Sequence, residues 1–197
     1  MKLYMSENSP YARRARITVR ETHLIDQVEE IRISSFKELL QCGPGAKIPV
    51  LVTDSGQSLC ESMIITRYLN DISGGKLLPA AREDLEKCLA LESVASVLMD
   101  SVFVRSFENN QREEKLRSTA VLEREIARSS RCYDSLNKAV VSEGESITLA
   151  SIAVIAALGY ADWRASEDDW RAGRSDLVAY FDRIMARPAF AKTAPRF

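Results

Sequence analysis

Serine and glutamate side chains stand at the predicted starts of two helices in the first third of the chain. Ser9 precedes Pro10, and Glu61 precedes Ser62. A serine followed by proline is typical of a helix start, with serine as N-cap and proline in the first turn. Helix N-termini present unpaired N–H groups and the positive end of the helix dipole, so both positions suit an anion. Each pair, taken alone, also fits ordinary capping.

A third segment, residues 47–50 (KIPV), places a proline where a strand is predicted to begin. All three segments therefore lie at junctions between short apolar runs and helical stretches. The order of these elements over residues 1–75 is βαβαββα, which predicts a mixed sheet covered by helices. The predicted strands are residues 2–5, 28–33, 49–52 and 58–60, and the predicted helices are 9–22, 34–40 and 61–72.

The remainder of the chain reads as helices only. Residues 76–82 predict a linker, since Leu78-Pro79 interrupts any helix there. Helices are predicted over residues 83–108, 112–141 and 148–163, followed by a last helix that ends near Arg187-Pro188. The third of these is apolar almost all round, which indicates a helix buried at a domain centre. We therefore expect an α/β domain (1–75), a linker (76–82) and an all-α helical bundle (83–197).

Composition narrows the class of function. The net charge of −1 over 197 residues is unlike the strongly basic balance of nucleic-acid-binding proteins. The arginines at 13, 14, 16 and 20 are expected mainly on the solvated side of their helix. The four cysteines form no C-x-x-C pair and there is one histidine, so we expect no metal site.

We also expect neither a signal peptide nor a membrane-spanning helix. No charged-then-apolar signal peptide opens the sequence, and its most apolar stretch, residues 149–161, is shorter than the about 20 residues of a membrane-spanning helix. We expect a cytoplasmic protein with reduced thiols and no membrane partner.

The three segments, in this order and at this spacing, resemble the cytosolic glutathione S-transferase family along the whole chain. The matching motifs are residues 45–51 (GAKIPVL), 54–56 (DSG), 61–69 (ESMIITRYL), 148–153 (TLASIA) and 186–190 (ARPAF). Residues 147–164 and 190–195 look most similar to a bacterial subgroup whose substrates are poorly defined. The resemblance implies a thioredoxin-like first domain, glutathione as co-substrate, and a homodimer.

The resemblance assigns roles at the glutathione site. The helix start at Ser62 would bind the γ-glutamyl carboxylate, and Glu61 or another acid would bind the ammonium group. The bond before Pro49 should be cis, which would turn the main chain of Ile48 toward the cysteinyl part of the ligand. Lys47, or alternatively Lys37, could meet the glycyl carboxylate.

The thiol of glutathione needs activation, because an unperturbed thiol titrates at about 8.5. A hydroxyl donor at a helix N-terminus can stabilise the thiolate, and Ser9 occupies that position. Two tyrosines are rival hydroxyls. Tyr4 lies in the first strand, near where tyrosine-type family members carry their catalytic residue, whereas Tyr11 is expected at the mouth of the electrophile site.

The electrophile pocket is expected between the domains, with a second wall from residues 100–107. Candidate residues there are Asp100, Val104 and Phe107. By resemblance, an acid on this helix can also reach glutathione in a partner subunit, although Asp100 also fits a solvated helix position. The family pattern Ser/Thr-x-x-Asp at the buried helix carries Ser151 instead of the acid, which predicts a weaker capping box.

The sequence leaves several functions open. The leading hypothesis is a detoxifying glutathione transferase acting on a small apolar electrophile. The same site would serve a glutathione-binding or sensing protein without transferase turnover. A glutathione-dependent thiol oxidoreductase usually has cysteine where Ser9 stands, and Cys60, beside Glu61, is expected to pack in the strand pairing. A purely structural, partner-binding module is the fourth possibility.

Overall fold

The computed structural model describes residues 1–43 and 45–196, so Pro44 and Phe197 lie outside the described residues. The strands are β1 (Lys2–Met5), β2 (Glu29–Arg32), β3 (Val50–Val52) and β4 (Ser58–Leu59). The helices are α1 (Pro10–Glu21), α2 (Phe36–Cys42), α3 (Ser62–Ile72), α4 (Arg82–Gln111), α5 (Thr119–Ala139), α6 (Leu149–Arg164), α7 (Ser175–Met185) and α8 (Pro188–Ala191). The predicted fold class, a thioredoxin-like mixed sheet followed by a helical region, is confirmed.

The four strands form one sheet in the order β2-β1-β3-β4. β1 runs parallel to β2 and antiparallel to β3, and β3 is antiparallel to β4. Alternate residues of a strand face opposite sides, and Leu3 of β1 is buried together with Ala15 of α1 and Ile65 of α3. The sheet thus fixes where β1 ends and α1 begins, which is where Ser9 lies.

Helix α6 forms the centre of the helical region. Every residue from Leu149 to Ala161 is buried, and α6 packs against α4, α1 and α7. Its N-terminus has a complete capping box: the Ser151 N–H donates to Thr148 Oγ1 (3.2 Å) and the Thr148 N–H donates to Ser151 Oγ (3.1 Å). We expected serine in place of aspartate at position 151 to weaken this capping box. The Ser151 hydroxyl instead completes it.

The boundary between α4 and α5 differs from the prediction. α5 begins at Thr119 rather than at residue 112, because Ser118 is its N-cap and accepts a hydrogen bond from the Val121 N–H (3.4 Å). The Ser118 N–H in turn donates to Glu108 Oε1 of α4 (2.7 Å). The capping serine, and not the start of the apolar stripe, sets the start of the helix.

The expectation that the arginines of α1 face solvent is wrong. Arg13, Arg14 and Arg16 are buried, because α1 lies between the sheet and α6 and has no broad solvated face. Buried charges need partners, and Arg16 Nε donates to Glu30 (3.0 Å), which also pairs with Arg20.

Glu92 of α4 joins the two parts of the molecule. Its fully buried carboxylate pairs with Arg14 of α1 through one oxygen and with Arg67 of α3 through the other. Arg14 also donates to Ser96 Oγ of α4 (3.1 Å). One buried acid thereby holds both sheet-covering helices against the first helix of the helical region.

Arg13 is held differently, by acceptors without a formal charge. Its guanidinium donates to the main-chain oxygens of Ile155 and Phe190, both at 3.3 Å. Gly159 makes room for it, since a Cβ there would clash with Arg13 Nη1. Burial and the nearby charge of Arg16 lower the pKa of Arg13 to about 10, so it stays cationic at neutral pH.

No helix among the described residues is long and apolar enough to cross a membrane.

Candidate functional site

A cavity of about 770 Å³ lies between the sheet-bearing part of the chain and helices α4 and α6. Its volume is in the range typical of small-molecule sites. It is lined by most of the residues that the sequence singled out: Ser9, Tyr11, Lys47, Ile48, Pro49, Glu61, Ser62, Asp100 and Val104.

Ser9 occupies the N-cap of α1. Its Oγ accepts a hydrogen bond from the Ala12 N–H (3.2 Å), and its extended backbone (φ −72°, ψ 125°) is the usual N-cap conformation. A hydroxyl carries one donor hydrogen besides its acceptor sites. The cap bond uses the oxygen as acceptor, so the hydrogen remains able to donate to an anion in the cavity.

The segment before β3 forms a second part of the same wall. The Ile48–Pro49 peptide bond is cis, as predicted. Pro49 is buried, whereas Lys47 is exposed at the edge of the cavity. Lys37, the alternative to Lys47, is exposed on α2 and is not among the residues that line the cavity.

The start of α3 completes this wall. Glu61 is its N-cap residue, and within the described chain no side chain caps the helix. The first N–H groups of a helix have no intrahelical partner, so they are available to an anion, and Ser62 is buried beside them. Glu61 has a positive φ of 67°, a conformation that costs a non-glycine residue roughly 1–3 kcal/mol and occurs often at functional sites.

Tyr11 and Asp100 connect this wall to α4. The Tyr11 hydroxyl donates to Asp100 Oδ1 at 2.6 Å. Burial, and then this hydrogen bond, raise the pKa of Tyr11 well above its ordinary value. The Tyr11 hydroxyl is therefore protonated and directed at α4, which suits a wall residue rather than an activator of a bound thiol.

The opposite wall is aromatic, and most of it was missed from the sequence. Phe103, Tyr160 and Trp163 line the cavity. Phe103 packs edge-to-face on Tyr11 (centroids 6.0 Å apart), and Tyr160 packs likewise on Trp163 (6.0 Å). The spacing of Tyr160 and Trp163, three residues apart on a helix, places both on one face, but the same spacing occurs in ordinary cores.

Two predicted residues lie elsewhere. Phe107 is exposed and contacts Phe103 (centroids 6.4 Å apart) without lining the cavity. Tyr4 is in the middle of β1, paired with Ile31 and Val50, and is not among the lining residues. The family resemblance placed Tyr4 near a catalytic position, but the cavity is lined by Ser9, between β1 and α1.

Cys60 lies at the edge of this site. The register of β4 pairs Ser58 and Leu59 with β3, so Cys60 follows the strand pairing. It is a free, partly buried thiol and lines the cavity. Its position at the cavity, rather than within the paired strands, differs from our expectation.

The charged side chains that line the cavity, within the described residues, are Lys47, Glu61 and Asp100. Among those residues, no group of three or more histidine, cysteine, aspartate or glutamate side chains could hold a metal ion. One wall therefore offers main-chain N–H groups, hydroxyls and charges of both signs, and the other offers aromatic rings. Such a cavity can hold a zwitterionic ligand beside an apolar one.

Comparisons with known proteins agree with this geometry. The sequence model of the glutathione S-transferase N-terminal domain matches residues 3–77. The chain is 29% identical to the uncharacterized GST-like protein YibF of Escherichia coli (strain K12) over 202 residues, covering 99% of this chain and 98% of that protein.

Solved structures give the same result. A glutathione transferase family member from Pseudomonas fluorescens, with bound glutathione, matches with a TM-score of 0.94 and 27% identity over 100% of this chain and 99% of that one. A glutathione S-transferase from Methylobacterium radiotolerans, in complex with glutathione sulfonate, matches with a TM-score of 0.90 and 29% identity, covering 100% and 95%. Residues 3–77 thus match the glutathione S-transferase N-terminal domain, and the whole chain is similar in fold to glutathione S-transferases.

Proposed function

We propose that this protein binds glutathione, activates its thiol as the thiolate and transfers it to a small apolar electrophile. The observation that carries the proposal is the two-walled cavity, in which Ser9 lines the same space as aromatic residues that include Phe103 and Trp163. The relatives in which glutathione or glutathione sulfonate is bound support the choice of ligand.

Each polar end of glutathione has a suitable counterpart. The uncapped start of α3 at Ser62 would bind the γ-glutamyl carboxylate through main-chain N–H groups and the helix dipole. Glu61 would bind the ammonium group, and Lys47 would bind the glycyl carboxylate. The main chain of Ile48 would pair with the cysteinyl part, so that the thiol lies near Ser9.

The chemical step is nucleophilic substitution or addition by the thiolate. The Ser9 hydroxyl would donate a hydrogen bond to the sulfur, which stabilises the thiolate relative to the thiol and lowers its pKa. The thiol proton passes to solvent, and the sulfur forms a bond to the electrophilic carbon. Tyr11, Asp100 and Val104 would form the floor and sides of the electrophile site.

We also propose a homodimer. Met63 and Ile64 of α3 and Val97 of α4 are large apolar side chains left exposed. The two helices are neighbours here, since Met63 Sδ lies 4.0 Å from Ser96 Oγ. Exposed apolar residues on adjacent elements suit an interface. Light scattering tests this, with Ile64→Glu expected to give a monomer and the unmodified chain a dimer.

Three further properties remain predictions: the division into domains at 1–75, 76–82 and 83–197, a detoxifying role, and a cytoplasmic location. Leu77 in the linker segment donates its N–H to Asn70 Oδ1 (2.8 Å) and accepts from the Leu149 N–H (2.9 Å). The segment is therefore fixed to both parts of the chain, which supports two regions that move together.

Calorimetric titration with glutathione, followed by a panel of model electrophiles, tests the proposal. We expect saturable binding and measurable conjugation with aromatic electrophiles. Binding that is weakened in Ser62→Pro and retained in Ser73→Ala, at the other end of α3, would support the assigned carboxylate site. Absence of binding would contradict the proposal, and binding without turnover on any electrophile would instead favour a glutathione-binding or sensing protein.

The position of Cys60 favours one alternative, a glutathione-dependent thiol oxidoreductase. Such an enzyme forms a mixed disulfide between a protein thiolate and glutathione. Mass spectrometry after incubation with glutathione disulfide decides between them. A stoichiometric adduct that is lost in Cys60→Ser and kept in Cys42→Ser would support the oxidoreductase, and an unmodified chain would exclude it.

A further inference from the structure

Asn8, the residue before Ser9, holds a distant part of the chain. Its side-chain Nδ2 donates to the main-chain oxygen of Arg196 (2.9 Å), and the Arg196 N–H donates to Asn8 Oδ1 (3.1 Å). Asn8 also lines the cavity. Both ends of its amide group are thus engaged by one residue that lies 188 positions away.

The segment that Asn8 holds is itself well anchored. Thr193 is fully buried, and its hydroxyl donates to the Ala189 main-chain oxygen (2.9 Å). Pro195 Cδ lies 3.9 Å from the position that a Cβ on Gly159 of α6 would take. Residues 193–196 therefore form a short strap that runs from α8 across α6 to the start of α1.

A second contact joins the strap region to α1, one turn beyond Ser9. The Arg13 guanidinium donates to the Phe190 main-chain oxygen (3.3 Å), and the Arg13 N–H donates to the Ser9 main-chain oxygen (2.8 Å). The turn that carries Ser9 is thus bonded on one side to Arg196 and on the other, through Arg13, to Phe190 of α8.

Packing alone does not hold this turn. Ser6, Asn8 and Ser9 are partly exposed and Glu7 is exposed, so the turn between β1 and α1 contributes no side chain to either core. Hydrogen bonds with defined geometry are then the main means of fixing its position, and the Asn8–Arg196 pair has that geometry.

We propose that Asn8 is a positioning residue for thiol activation. By clasping the main chain of Arg196, it fixes the turn so that the Ser9 hydroxyl points at the sulfur of bound glutathione. This inference rests on the proposed function, because it deepens the role assigned to Ser9. Asn8 itself does not contact the sulfur in this scheme.

The two hydrogen bonds between Asn8 and Arg196, here called the clasp, predict a specific pattern among four variants. These are Asn8→Ala, a chain ending at Ala194, the two changes combined, and Arg196→Ala. Asn8→Ala and a chain ending at Ala194 each remove both hydrogen bonds. We expect either change to raise the thiol pKa of bound glutathione and to lower kcat at neutral pH by about three- to tenfold, a modest misplacement effect. KM for glutathione should stay within about twofold, since the α3 start is unchanged. The two changes combined should have no more effect than the shortened chain alone, because both remove the same pair of hydrogen bonds.

Arg196→Ala is the matched control. It removes the arginine side chain but keeps the main-chain N–H and oxygen that Asn8 contacts, so thiol pKa and kcat should equal those of the unmodified chain. Hydrogen exchange of the amides of residues 9 and 11–13, measured without glutathione, should be faster in Asn8→Ala and unchanged in Arg196→Ala.

The outcomes distinguish a failure of the positioning role of Asn8 from a failure of the proposed function. If the unmodified chain lowers the thiol pKa and Asn8→Ala leaves that pKa, kcat and the exchange rates unchanged, the clasp has no positioning role while the proposed function stands. The same conclusion follows if the effects of Asn8→Ala and of the shortened chain add. If the unmodified chain does not bind glutathione, the proposed function and the inference both fail.

Discussion

The two walls of the cavity are built in different ways. The wall from the sheet-bearing part uses the ends of elements: the N-cap Ser9, the junction before β3 and the start of α3. The wall from the helical region uses side chains on helix faces, such as Phe103 within α4 and Trp163 in the last turn of α6. Main-chain groups at element ends bind charged and polar ligand parts, whereas ring faces accept apolar ones of varied shape.

This difference suggests a division of tasks. A main-chain site depends on the conformation of the backbone and is insensitive to most side-chain changes, so it suits a ligand that stays the same. A side-chain site changes with each substitution on the helix face. The first wall should therefore set glutathione affinity and thiol pKa, and the second should set the choice of electrophile.

The largest effect on stability is expected from removing the Glu92 carboxylate, which joins the parts of the chain that carry the two walls. Glu92→Ala leaves Arg14, buried and positively charged, without a carboxylate, and should lower the free energy of unfolding by roughly 3–5 kcal/mol. Urea denaturation measures it. Glu86→Ala is the control, because Glu86 pairs with Arg82 on the exposed face of the same helix and should change stability little. Equal losses in both variants would contradict a joining role for Glu92.

Glu61 tests the dependence of the first wall on backbone conformation. Glu61→Gly relieves the positive φ and should leave the free energy of unfolding unchanged or raise it by up to about 1 kcal/mol. It also removes the proposed ammonium partner, a charge-assisted hydrogen bond worth about 1.5–3 kcal/mol, so glutathione affinity should fall at least about tenfold. Glu61→Gln keeps the side chain's length and the strain, and should lose affinity without gaining stability. A variant that gains stability and keeps full affinity would argue against this role.

Phe103 and Phe107 test the second wall as a matched pair. Both are about half exposed on α4 (46% and 49%). Phe103 lines the cavity, whereas Phe107 is not among the described residues that line it. Phe103→Ala should raise KM for an aromatic electrophile about fivefold, since an aromatic contact contributes about 1 kcal/mol beyond its buried area. Phe107→Ala should change that KM little, and calorimetry should give native glutathione affinity for both. Comparable losses in the two variants would show that the wall is misassigned.

The smallest effect is expected at the edge of the sheet, away from both walls. Burial raises the pKa of Glu30, but the hydrogen bond from Arg20 and the charge of Arg16 outweigh it and hold the pKa below its ordinary value. A depressed carboxyl pKa stabilises the fold above the unfolded-state pKa of about 4.3, and this contribution is lost as pH falls through the lower folded-state pKa. Glu30→Gln should therefore cost about 1 kcal/mol at pH 7.

Thermal unfolding across pH checks the sign of this contribution. The difference between Glu30→Gln and the unmodified chain should shrink as pH falls below about 4. Exposed Glu29, the neighbouring residue on β2, forms no ion pair with the described residues, so Glu29→Gln should show no such trend. A difference that grows on acidification would contradict the assigned pKa direction.

The contrast between the walls also explains what the sequence could predict. Ser9-Pro10 and Glu61-Ser62 mark element ends, where local chemistry decides the conformation, and the fold and the first wall followed from them. Phe103 and Trp163 occupy helix positions whose spacing is also typical of buried core residues. The sequence alone therefore could not distinguish residues that line the cavity from residues of the core.

The arginines of α1 show the limit most clearly. A helix rich in arginine predicts a solvated face when only the helix itself is considered. Its burial depends on Glu30, which lies on the next strand, and on Glu92, which lies 78 residues beyond Arg14. The clasp of Asn8 on Arg196 is of the same kind, since its two partners lie at opposite ends of the described chain.

The thiol pKa of bound glutathione tests the central claim most directly. Titration by the ultraviolet absorbance of the thiolate should give a value below the about 8.5 of a free thiol in the unmodified chain and in Tyr4→Phe. Ser9→Ala should raise that pKa by at least about 1, since a hydrogen bond to a charged group contributes about 1.5–3 kcal/mol. If Ser9→Ala keeps both the lowered pKa and the turnover, or if Tyr4→Phe alone loses them, Ser9 is not the group that activates the thiol.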